Sequence, residues 1–166
     1  SAPQTLLVLK AHEMYRAGKP MEEVAQWVED NKTRAQAWFT VDDLKYLKRG
    51  GRISPTAAAL GTMLDLKPII IETRDGKLTS VDKVRGRKKA INYIVDKAAE
   101  NMLDPDESEG IILHADALED AQRLRQLLME RIPGLRVRVE WVGPVIGAHC
   151  GPGTLAFCFL GKERPQ

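Results

Sequence analysis

The sequence predicts an α/β domain built on one mixed sheet of six strands, and three observations carry that reading. Six short segments are rich in β-branched and aromatic residues and are bounded by turn signals. They are joined partly by helix-period stretches and partly by a hairpin signal, so parallel and antiparallel neighbours must share the sheet. The composition of the 166 residues, 43% hydrophobic and 29% charged, is that of an ordinary globular chain. A chain of this length buries roughly 70% of its unfolded surface and needs no disulfide framework.

Taken in order, Leu6, Leu7, Leu9, Met14 and Tyr15 recur near helical spacing, and the pattern stops at Ala17-Gly18-Lys19-Pro20. Glu22 and Glu23 open a second helix, where they favour its positive end, and Val24, Ala25, Trp27 and Val28 form its apolar stripe. Residues 35–41 form the first strand. Thr40-Val41-Asp42-Asp43 then starts a charged helix running to about Lys48. Ser54-Pro55 opens a helix of small and apolar residues (Ala57, Ala58, Ala59, Leu60, Met63, Leu64), with proline tolerated in the first turn. Residues 67–74 and 77–84 are two strands joined by the hairpin signal Asp75-Gly76. A long helix over 86–103 carries Ala90, Ile91, Ile94, Val95, Ala98 and Met102. An acidic loop, the strand Glu109–Ala115 and the helix Leu118–Arg131 follow. In 135–142, Val137, Val139 and Trp141 alternate with Arg136, Arg138 and Glu140, the pattern of a half-exposed edge strand. The stretch 143–153, with four glycines and two prolines, reads as a loop before the last strand, Thr154–Leu160. The long helices should cover one face of the sheet.

Several functions are disfavoured at this level. The net charge is 25 − 23 = +2, too small to mark a nucleic-acid or membrane binder on totals. Apolar runs such as Pro68 to Ile71 are far shorter than the ~18 residues that span a bilayer. Ser1-Ala2-Pro3-Gln4 lacks the basic-then-apolar pattern of a signal peptide, and the two cysteines staple no long loop, so the cytoplasm is the expected compartment. There is no phosphate-loop pattern, CxxC or HExxH, so no metal or cofactor is expected.

Two features stand out. Lys83-Val84-Arg85-Gly86-Arg87-Lys88-Lys89 carries five cations where a helix begins, and cations are unfavourable there by a few tenths of a kcal/mol. The plain alternative is a solvated helix end; the functional one is an anion held at that place. His149 stands between glycine turns, where backbone can approach a ligand closely. Cys150 beside it has no evident base and acid partners to make it a nucleophile.

Four stretches together resemble one family: residues 41–54 (Val-Asp-Asp-Leu-Lys-Tyr-Leu-Lys-Arg-Gly-Gly-Arg-Ile-Ser), Leu66-Lys67-Pro68-Ile69, 84–90 (Val-Arg-Gly-Arg-Lys-Lys-Ala), and Gly147-Ala148-His149-Cys150-Gly151-Pro152-Gly153. Their order and spacing resemble the DegV family of bacterial fatty-acid-binding proteins. The resemblance implies that the chain matches only the second domain, a two-layer α/β unit on a six-stranded mixed sheet. It covers 33–166, with 1–32 as a helical segment joining a first domain whose Ser/Thr motifs this sequence lacks.

The resemblance further implies that the protein binds a long-chain fatty acid and performs no bond chemistry itself. It would present the carboxylate to the ATP-binding subunit of a separate fatty-acid kinase, which makes the acyl-phosphate. His149 matches the family's His-X-Gly-Pro-Gly histidine and Arg85 the arginine that closes on the head group; Cys150 stands where Thr or Val is commoner. Ile53, Ala58, Leu60, Met63, Leu64 and Ile146 are expected to line the acyl chain, and Arg49, Arg52 and Arg87 to face the kinase partner. The physics fits such a ligand: each buried methylene contributes about 0.8 kcal/mol, while an unpaired buried carboxylate costs several kcal/mol. A guanidinium and an imidazole donor answer that cost.

Two other classes compete. A nucleic-acid-binding module would use the basic turns at 48–52 and 83–89, with salt-sensitive binding as its mark and no membrane insertion. A hydrolase or transferase built on Cys150 and His149 would show a reactive thiolate at neutral pH. Taken alone, the chain is expected to hold fatty acid poorly and to form a homodimer across the rim carrying Arg85 and His149.

Overall fold

A computed structural model describes residues 2–53, 66–103 and 109–165. Helices α1 (Ala2–Arg16) and α2 (Met21–Asn31) form a hairpin. The turn between them is set by Gly18, whose φ of +78° suits glycine. Its amide bonds to the Tyr15 carbonyl, and that of Lys19 to Met14, closing off α1. A 3₁₀ turn (Lys32–Arg34) leads into β1 (Ala35–Thr40), and Asp43 then caps α3 (Leu44–Arg49) by accepting from the Lys45 amide at 2.8 Å. Strands β2 (Leu66–Glu72) and β3 (Leu78–Arg85) form the expected hairpin, with Gly76 at φ +78° in its turn. Helix α4 (Arg87–Asn101), β4 (Glu109–Ala115), α5 (Leu118–Arg131) and β5 (Arg136–Trp141) follow, then α6 (Pro144–Cys150) and β6 (Thr154–Leu160).

The six strands form one mixed sheet in the order β3-β2-β1-β6-β4-β5. Every neighbouring pair is antiparallel except β4 and β5, which run parallel across the α5 connection. The fold class and all six strands are as the sequence predicts, including β5 at an edge. The last strand in the chain sits between β1 and β4, joining the two halves of the sheet.

Period-two alternation sorts the sheet into two unlike faces. On one, Trp38, Ile69, Ile71, Ile112, Leu155, Phe157 and Phe159 meet the buried stripes of α4 (Ala90, Ile91, Ile94, Ala98) and α5 (Ala121, Leu124, Leu128). The other carries small side chains at Ala37 and Cys158 and is met by Ala2 and Leu6 of α1 and by the cluster of Leu44, Leu47 and Cys150. The expectation that the long helices share one face holds for α4 and α5 but not for the equally long α1, which lies over the other face with α3 and α6. Helix α6 departs from the expected loop. Its proline occupies the first turn, where the missing amide costs nothing, and Gly147 is tolerated within its 7 residues. The helix expected from Ser54, with Ala58, Leu60, Met63 and Leu64, lies outside the described residues. Among the described residues, no helix is long and apolar enough to cross a membrane.

Candidate functional site

The register places the C-terminal ends of β1, β3 and β4 at the same end of the sheet as the starts of β2 and β6. The sequence motifs converge there because glycines let their backbones touch. An added Cβ at Gly50 would collide with the His149 ring, one at Gly151 with the Tyr46 ring, and one at Gly153 with the Asp42 carboxylate. Gly151 also has φ +78° and ψ 176°, a conformation almost confined to glycine. Residues 41–54 and 147–153 are thus two halves of one interlocked structure.

Beneath them a cleft of about 540 Å³ opens over the small-residue face, within the usual range for small-molecule sites. Its floor is Ala35, Ala37, Ala156 and Cys158, with Phe39 and Leu113 beside them. One wall is α1, through Pro3, Gln4 and Leu7; another is α6, through Val145, Ile146 and Cys150. His149, half-buried in the last turn of α6, lines the same cleft together with Arg52. The Arg52 guanidinium donates to the Gly50 carbonyl at 2.7 Å, and Gly50 itself packs against the His149 ring. Among the described residues His149 has no hydrogen-bond partner of its own. A cation and an imidazole therefore stand at one end of a largely apolar trough, an arrangement suited to an amphiphile with an anionic head.

Of the residues singled out from sequence, His149 and Ile146 line the cleft. Ile53 is half-buried against the cluster of Phe39, Val41 and Leu47. Arg85 is exposed at the end of β3 opposite Leu66, so it shares the rim with His149. Its strand is three spacings from β6, about 14 Å at ~4.8 Å per strand, and it is not among the described residues lining the cleft. Arg49 is exposed. Arg87, expected on a partner-facing surface, is turned inward: its Nε lies 2.7 Å from Asp120 and its Nη1 3.7 Å from Asp42, which Lys67 also meets at 2.9 Å. The start of α4 is held by acidic side chains of its own protein. Arg52 is exposed and also lines the cleft.

The two thiols are not poised as nucleophiles. Burial pushes Cys150 up from its ordinary 9.0 despite the nearby Arg52 charge, and pushes Cys158 up to about 12. Among the described residues no cluster of three or more His, Cys, Asp or Glu could hold a metal ion. Sequence reading missed the cleft floor, although its signal is there. Ala35, Ala37 and Phe39 alternate with Gln36, Trp38 and Thr40, as Ala156 and Cys158 do with Leu155, Phe157 and Phe159, marking one large-residue and one small-residue face.

The DegV family model ("Uncharacterised protein, DegV family") matches residues 1–162. A DegV domain-containing protein of Clostridium perfringens is 42% identical over 161 residues, 97% of this chain and 55% of that protein. A solved structure of a DegV family protein from Thermus thermophilus, described for its fatty-acid binding, superposes with a TM-score of 0.83 at 32% identity, covering 97% of this chain and 57% of that one. A DegV family protein of Ruminococcus gnavus, described with vaccenic acid, superposes with a TM-score of 0.82 at 26% identity, covering 93% and 55%. The chain therefore spans about half the length of the relatives it matches.

Proposed function

Because the chain belongs to the DegV family, we propose that it supplies the acyl-chain cleft of a fatty-acid-binding protein, with the carboxylate held at the rim by His149 and Arg52. The carrying observation is that these two polar groups stand together at one end of a trough floored by alanines. A long acyl chain over that floor gains about 0.8 kcal/mol per buried methylene. The head group gains charge-assisted hydrogen bonds, and Arg85 adds a second cation from the same rim. The role is binding, not catalysis: relatives are named as fatty-acid-binding proteins, and both thiols are held protonated. In this reading residues 33–166 form the body of the lipid-binding unit, while 1–32 supply one wall of its cleft through α1 and lead to a further domain, in keeping with relatives nearly twice as long.

The finer reading is that the bound carboxylate is presented to the ATP-binding subunit of a fatty-acid kinase. It rests on the sequence resemblance and is supported by the position of His149, only half-buried at the sheet end, with exposed Arg49 and Arg85 available for a partner. The nucleic-acid alternative loses support, since Arg52 faces the cleft and Arg87 is neutralised by Asp120 and Asp42. The test is mass spectrometry of lipid extracted from the complete protein, followed by reconstitution with the kinase subunit and ATP. Stoichiometric fatty acid and acyl-phosphate formation are expected; an empty protein whose binding to nucleic acid falls steeply with salt would sink the reading.

A further inference from the structure

We propose that the ion pair of Glu72 and Arg164 is the length stop of the cleft, setting the longest acyl chain the protein accepts. This inference rests on the fatty-acid reading above. The cleft has two ends of different chemistry. Arg52, His149 and Thr154 lie at one; Lys32, Glu72, Leu78 and Arg164 lie at the other. Ala35 faces Leu160 across the β1–β6 pairing, so the floor from Thr154 to Ala35 covers six residue steps, about 20 Å at ~3.3 Å each. A chain anchored by its carboxylate at His149 and Arg52 must run along the alanine floor, and its methyl end arrives at Glu72.

That far end carries a braced charge pair. Arg164 Nη1 lies 2.7 Å from Glu72 Oε1, with the Arg164 side chain only 12% exposed and that of Glu72 33%. The Arg164 amide donates to the Thr33 carbonyl at 2.9 Å and its Nη2 to the Lys32 carbonyl at 3.1 Å. On either side of it, Glu163 pairs with Arg74 at 2.7 Å, and the Pro165 carbonyl accepts from the Arg74 amide at 2.9 Å. The C-terminal segment is thereby clamped to the β2–β3 turn and to the approach to β1. Arg164 Nε is already buried without a hydrogen-bond partner. Glu72 keeps its remaining exposure for water. A methyl group driven against the pair would strip that water and offer nothing polar in return. Affinity should therefore climb about fourfold per added methylene while the chain lies on the floor, then stop climbing at the pair.

The experiment titrates the complete protein with saturated fatty acids from lauric to behenic, below their micelle concentrations, and reads the chain length at which affinity stops rising. The double variant Glu72→Leu/Arg164→Met replaces the pair by apolar groups of similar size, an exchange often neutral for folding. It should move the break outward by two or more methylenes, so that the first chains beyond the wild-type break bind roughly tenfold more tightly. Glu72→Gln/Arg164→Gln removes both charges while leaving two amides that can hydrogen-bond each other, and should move the break in the same direction if the apolar double variant does not fold. A break unchanged in the folded variants overturns the stop while leaving the fatty-acid reading intact. A wild-type protein that binds no member of the series overturns that reading, and the stop falls with it.

Discussion

At the scale of single residues, the cleft assigns unequal weights to its cations. Arg52 lines the cleft as His149 does, whereas Arg85 stands on the rim several strands away. A charge-assisted hydrogen bond contributes about 1.5–3 kcal/mol, so Arg52→Ala and His149→Ala should each weaken fatty-acid binding by at least about tenfold. Arg85→Ala should cost less, and isothermal titration of the three variants gives the order. Cys158 makes a second prediction. Its folded value of about 12 lies above its ordinary 9.0 because burial disfavours the thiolate. Between those values the folded protein keeps a proton that the unfolded chain has lost, so stability falls as pH rises. The slope is about 1.4 kcal/mol per pH unit. Denaturant unfolding from pH 8 to pH 11 should show a steeper alkaline decline for the wild type than for Cys158→Ala. His149 was legible from sequence because glycine turns flank it. Arg52 was singled out for a partner surface, and its place on the cleft was not legible, because that depends on the tertiary contacts of Gly50, Gly151 and Gly153 that join the two motifs.

At the scale of elements, the strands were legible to within a residue or two, because each face of the sheet imposes a period of two on the chain. Helix α6 escaped because a glycine, a leading proline and 7 residues carry the composition of a loop. It is held by its neighbours, notably by Tyr46 of α3 seated against Gly151. That contact is directly testable. Gly151→Ala forces a side chain into a conformation costing about 1–3 kcal/mol and drives its Cβ into the Tyr46 ring. A loss of at least about 2 kcal/mol is expected in denaturant unfolding, along with weaker ligand binding through displaced His149; an unperturbed Gly151→Ala protein would show that the interlock of the two motifs is not structural. Helix α5, by contrast, should answer only in stability. Leu124→Ala empties a fully buried site away from the cleft and should cost about 2–5 kcal/mol while sparing ligand affinity in the folded fraction.

At the scale of the whole molecule, a helix layer packs tightly on one sheet face, and the opposite face holds the cleft. In the proposed reading a further domain covers it, so the 166-residue chain alone should bind a long-chain fatty acid no tighter than the micromolar range. Sub-micromolar, stoichiometric binding would show that the cleft suffices by itself. The place of β6 has a consequence for how the molecule comes into being. The β1–β2–β3 meander and the β4–α5–β5 unit are each local in sequence and can close with little loss of chain entropy, whereas the second edge of β1 must wait for β6 from the far end of the chain. During synthesis the cleft floor is therefore the last surface to exist, since half of it arrives with Ala156 and Cys158. Folding is expected to be limited by the insertion of β6. Conservative truncations at Leu155 or Phe157 should then slow folding, whereas truncations in a meander that forms beforehand should chiefly shift the pre-equilibrium, a contrast that stopped-flow chevrons would resolve.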